Sequence, residues 1–187
     1  MGDGQGVPAG DSRWLRVACL LDVVNARIGR AVAWLALAMV LAQFLVVVMR
    51  YAFGVGSIQL QEAIIYMHAA LFLLLAGYTL GENGHVRVDV FQERLGPRRR
   101  AFVEIGGTAL LLLPLCLYIF WSSMPYVLQS WSILETSQEE LGLPAVFLLK
   151  SLIPAFVVLL ALQGVSNLLR TAHSLRTGAG APAGKEG

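Results

Sequence analysis

"AVAWLALAMVLAQFLVVVM", Ala31 to Met49, is nineteen residues carrying a single polar side chain, Gln43. As a helix rising 1.5 Å per residue it reaches about 28 Å, close to the roughly 30 Å hydrocarbon layer of a bilayer. A spanning strand would need only about ten residues in strict apolar–polar alternation, whereas here apolar groups point to every side. The stretch therefore predicts a transmembrane helix.

Three further segments read the same way: Leu60 to Leu80, Ala101 to Trp121, and Pro144 to about Leu162. Composition agrees. The chain is 57% hydrophobic and 14% charged, against roughly 45–50% and about 25% in an ordinary soluble domain, and its mean hydropathy is +0.67. The expected fold is all-α, an integral membrane protein of four transmembrane helices. One membrane domain over 13–170 is expected, between Gly- and Ala-rich tails, 1–12 and 171–187, expected to be disordered. No internal repeat is visible.

Basic residues set the expected orientation. Twelve Lys and Arg fall before the first span, between the second and third, or after the fourth; Arg50 alone stands on the other side. The connection from Ser122 to Leu143 carries Glu135, Glu139 and Glu140 and neither Lys nor Arg. This imbalance predicts cytoplasmic termini. Tyr51, Phe53, Trp121, Tyr126 and Trp131 suit an interfacial belt at the outer side. A cleavable export signal is not expected, because the start is acidic and the first apolar run begins only at residue 31, already at spanning length.

Two segments outside the spans carry patterns of their own. From Arg13 to Arg30, the apolar residues Trp14, Val17, Ala18, Leu21, Val24 and Ile28 follow the helical rhythm, predicting an amphipathic helix lying in the inner interface. Between spans two and three, "GENGHVRVDVFQERLGPRRR", Gly81 to Arg100, holds five arginines and three carboxylates. Asp89 is placed to cap a short helix presenting Phe91 and Leu95, and Gly96-Pro97 stops it, with Pro97 opening the third span. Arg87, Arg94, Arg98, Arg99 and Arg100 are expected to anchor this loop to anionic lipid headgroups.

Polar groups inside the membrane are the natural place to look for function. Glu62 lies about one turn below the outer end of the second span, and Lys150 about 9 Å below the outer end of the fourth. An unpaired charge at that depth is costly, so the two are expected to pair. Arg50 competes for Glu62, and Lys150 can instead reach outward to Glu140. Such a pair serves either as a clamp between helices or subunits, or as a substrate or ion site. His68 sits mid-span with Gln61 on the same face. It suits an interhelical hydrogen bond; haem or metal ligation would want a second in-membrane histidine, so no cofactor is expected. Cys19 and Cys116 read as packing residues. Pro114 and Pro154 free the carbonyls of Leu110 and Lys150, predicting kinks.

The series Arg50-Tyr51-x-Phe53-Gly54, Glu62, and His85-Val86-x-Val88-Asp89 with Leu95 resembles the small membrane subunit of tripartite ATP-independent periplasmic (TRAP) transporters, over about residues 14 to 170. "LPAVFLLKSLIPAF" further resembles the branch labelled mannitol/chloroaromatic compound transport. Many relatives carry two acidic residues at the start of the second span, where this chain has Gln61 before Glu62.

The resemblance implies a non-enzymatic permease subunit in the bacterial inner membrane. It would brace a large multi-span subunit for sodium-coupled uptake of an organic, carboxylate-type solute delivered by a periplasmic solute-binding protein. The acidic loop 134–141 would face that binding protein. Three other classes compete with this reading, one of them a disulfide-generating quinone enzyme, which would need paired outward cysteines. An autonomous small exporter would need a carboxylate nearer the midplane than Glu62, and the membrane anchor of a redox complex would need paired histidines.

Overall fold

The computed structural model describes residues 11–81 and 96–177, and these are helical apart from short connections. The expected helix between spans two and three, with Arg87, Asp89, Phe91, Arg94 and Leu95, lies outside the described residues.

The first helix, α1 (Asp11–Ala52), has 42 residues and so a length of about 63 Å, twice the hydrocarbon layer. The amphipathic segment and the first span were expected as two helices with a turn between them; they form one helix without a break. Gly29, the only glycine in α1, is not a hinge. A Cβ there would stand 2.7 Å from Cγ of Tyr78, so this glycine marks a close approach of α1 to the second helix. Ala18, Asn25, Gly29 and Val32 are buried, whereas Trp14, Val17 and Val24 are exposed.

Gly54 ends the helix. Its φ of 69° suits a residue without a Cβ, and the amides of Phe53 and Val55 both donate to the carbonyl of Met49, at 3.2 and 3.1 Å. The second helix, α2 (Ile58–Gly81), starts where the Ser57 hydroxyl accepts a bond from the Leu60 amide at 3.3 Å, an N-cap that occupies one of the free first-turn donors.

The third span comprises α3 (Pro97–Gly107), a π-helical turn (Thr108–Leu112) and α4 (Leu113–Ser132). Pro97 occupies its first turn as expected. The π turn directly precedes Pro114: that residue cannot donate to Leu110, and the Leu113 amide bonds back to the Thr108 carbonyl instead. The last helix, α5 (Val146–Thr177), has 32 residues and extends through the start of the expected tail. Thr171 is buried there.

The helices run antiparallel to their sequence neighbours. α5 packs against all the others, α1 and α2 close a three-helix group with it, and the third span leans on α5. Small residues permit the closest crossing. Gly77 and Gly81, one helical turn apart on α2, face Leu159 and Gln163, one turn apart on α5, the arrangement by which membrane helices gain van der Waals contact where lipid offers no hydrophobic drive. Many apolar side chains elsewhere point outward; Leu37, Phe44, Phe72, Leu110 and Trp121 are all exposed. Four helices, Trp14–Phe53, Ile58–Gly81, Arg98–Ser132 and Val146–Leu175, are long and apolar enough to cross a membrane.

Candidate functional site

Polar side chains gather at the two ends of the bundle. The acidic end carries the connection between α4 and α5, residues 133–145. Its stretch from Ser137 to Leu143 closes on itself: the Ser137 amide donates to the Leu143 carbonyl at 3.3 Å and the Gly142 amide to the Glu139 carbonyl at 2.9 Å. Glu62 on α2 holds this ring by both carboxylate oxygens. Oε1 accepts from the Ser137 hydroxyl, and Oε2 accepts from the Leu143 amide at 2.6 Å. Ser137 Oγ in turn accepts from the Glu139 amide at 3.2 Å. Gly142 fits here for want of a side chain, since a Cβ would meet Ser137 at 2.4 Å and Glu62 Oε1 at 2.8 Å.

Lys150 on α5 takes the other side of the same connection. Its Nζ pairs with Glu135 and lies 3.8 Å from the ring centroid of Tyr126 on α4, a cation–π placement. The hydrogen bond donated by the Lys150 ammonium holds the Glu135 carboxyl below its ordinary value. Next to it Trp131 Nε1 donates to Ser151 Oγ at 2.7 Å, and the Trp131 and Phe147 rings meet edge to face at 4.7 Å. Together these bonds fasten the tops of α2, α4 and α5 to one loop.

The expected pairing of Glu62 with Lys150 is therefore corrected. Both charges are satisfied, each by the loop: α5 turns Lys150 toward α4, while Glu62 faces the ring 137–143. Nor does Lys150 reach Glu140. Glu139 and Glu140 are exposed. Arg50, the alternative partner for Glu62, instead lines a cleft between α1 and α2, together with Gln43, Tyr51 and Gln61.

His68 is also placed differently from the interhelical hydrogen bond expected of it. It is exposed, with its ring 4.6 Å from that of Phe72, one turn further along the same helix. Of the expected lipid anchors, Arg98, Arg99 and Arg100 fall in the first turn of α3; the first two are exposed.

The basic end holds a cluster that the sequence reading missed. Asp22 Oδ1 accepts from Gln163 Nε2 at 2.9 Å and from the Ser166 hydroxyl at 2.6 Å, and Oδ2 accepts from Arg170. Asn25 Nδ2 donates to Gln163 Oε1 at 2.7 Å and to the Leu159 carbonyl at 3.3 Å. Asn25, Gln163 and Ser166 are buried. The available signal was spacing: Asp22 and Asn25 share one face of α1, as do Gln163, Ser166 and Arg170 on α5. The cluster ties the first helix to the last; among the described residues no group of three or more His, Cys, Asp or Glu is placed to hold a metal ion.

Compared with known proteins, residues 39–174 match the family described as "Tripartite ATP-independent periplasmic transporters, DctQ component". The match runs from the middle of the first span through most of the last helix. Neither the curated proteins nor the solved structures searched gave a match.

Proposed function

Since the chain belongs to the DctQ component family of tripartite ATP-independent periplasmic transporters, we propose that it braces the large permease subunit of such a system during sodium-coupled uptake of an organic carboxylate. The family match carries the small-subunit part of this reading, because it names one component of a three-part transporter. The apolar outward surfaces of α1, α2 and the third span support it. They offer a large area to lipid and to a membrane partner alike.

In this account the chain sits in the bacterial inner membrane with its basic end in the cytoplasm. Arg98, Arg99 and Arg100 hold that end through anionic headgroups, each contributing about 1 kcal/mol near the surface. The loop held by Glu62 and Lys150 is the periplasmic cap of the bundle, and Glu139 and Glu140 meet basic side chains of the solute-binding protein. Transport is carried by the large subunit, and this chain performs no catalytic chemistry.

The test is uptake into vesicles reconstituted with the large subunit and binding protein, with and without this chain. Sodium-driven accumulation only when the chain is included supports the reading. Accumulation in vesicles containing the chain and no large subunit would sink it.

A further inference from the structure

Between α1 and α2, at the acidic end, an open cleft of about 460 Å³ is lined by Gln43, Val46, Arg50, Tyr51, Gln61 and Ile65 among others. Gln43, Arg50 and Gln61 are exposed there. Glu62 follows Gln61 in sequence but points elsewhere, with both oxygens engaged by Ser137 and Leu143, so it does not neutralise Arg50. Neither ion pair at the two ends of the bundle, Lys150 with Glu135 or Arg170 with Asp22, involves Arg50.

Depth decides what covers this face. Gln43 lies seven residues, about 10 Å, below Arg50, and His68 lies ten residues, about 15 Å, below the start of α2. That places an amide and an exposed imidazole inside the hydrocarbon, beyond the reach of headgroups, where polar groups turn toward protein rather than lipid. The third span offers the contrast: it turns Leu110, Leu111, Leu115 and Leu117 outward, a surface that acyl chains satisfy.

Building on the proposed function, we propose that the α1–α2 cleft is the docking site for a membrane-spanning helix of the large permease subunit, which presents an oxygen acceptor, a carboxylate or a free helix-end carbonyl, to Arg50 and Gln61. The guanidinium and the amide supply donors in a fixed fork, and the partner supplies the acceptors that this chain withholds.

The experiment places a photo-crosslinking amino acid at Gln61 or Ile65, and as controls at Leu111 or Leu117, in membranes holding the full complex with an epitope-tagged large subunit. Adducts with the large subunit from 61 and 65 and not from 111 and 117 are expected. Arg50→Glu should lower recovery of the large subunit about tenfold or more, with Arg50→Lys recovering part of it. Monodisperse elution of the Arg50→Glu chain by itself shows that its fold is kept. Adducts from the third-span positions alone, or lipid adducts alone from 61 and 65, overturn the docking site while leaving the proposed function standing. Failure of the unaltered chain to co-purify with any large subunit overturns both.

Discussion

Gly77 on α2 lies so close to Leu159 on α5 that a Cβ added to the glycine would stand 2.9 Å from the Leu159 carbonyl oxygen. Backbone cannot move aside as a flexible side chain can. Gly77→Ala should therefore push α2 and α5 apart and cost about 1–3 kcal/mol, the usual penalty of overpacking. Thermal unfolding in detergent is the measurement; an unchanged midpoint would mean that the crossing is looser than drawn.

The buried cluster at the basic end gives a second expectation. Gln163→Leu keeps the volume but removes one of two hydrogen bonds from Asn25 Nδ2, which retains the Leu159 carbonyl, and one of two from Asp22 Oδ1, which retains Ser166; two net hydrogen bonds amount to about 1–3 kcal/mol. Arg170→Ala removes a more exposed partner of the same carboxylate and should cost less, about 0–1 kcal/mol. Both are read from the same unfolding curve, and the reverse ranking would contradict the network described.

At the acidic end, Glu62→Gln should free the Ser137–Leu143 ring, because an amide offers one acceptor oxygen in place of two. Hydrogen exchange at the Leu143 amide should then speed up, and Gly142→Ala, which crowds Ser137 off the carboxylate, should have a like effect. Unaltered protection in both variants would show that the ring holds itself.

The Lys150–Glu135 pair predicts a pH dependence. Because Lys150 holds the Glu135 carboxyl below its ordinary value of 4.5, the pair contributes in full above that value and its contribution fades as pH falls through the lowered one. Protection of residues 133–135 from exchange should stay flat from neutral pH down to about 4.5 and decline below it. Glu135→Gln should abolish this decline. A decline in the variant equal to that of the unaltered chain would assign the effect to other carboxylates.

The spans were legible because each is a long apolar run, and length alone separates such a run from a strand. What the helices do with one another was less so. Nothing in the local sequence shows that the missing side chain of Gly29 makes room for Tyr78, or that α1 continues through it without a break. Glu62 and Lys150 were recognised as groups needing partners, but their depth along the helix said nothing of direction around it. Their partners came from a loop whose shape depends on Gly142 and the Ser137 hydroxyl. Asp22, Asn25, Gln163 and Ser166 went unnoticed because each is ordinary at a membrane edge; only the pairing of α1 with α5, distant in sequence, gives them meaning.

The account rests on this chain working as one part of a larger permease, and solubilisation of native membranes in mild detergent followed by affinity capture of the chain tests it most directly. A second, larger multi-span membrane protein should elute with it in constant ratio through a further sizing step. Elution of this chain by itself, from membranes in which the larger protein is present and intact, would contradict the account.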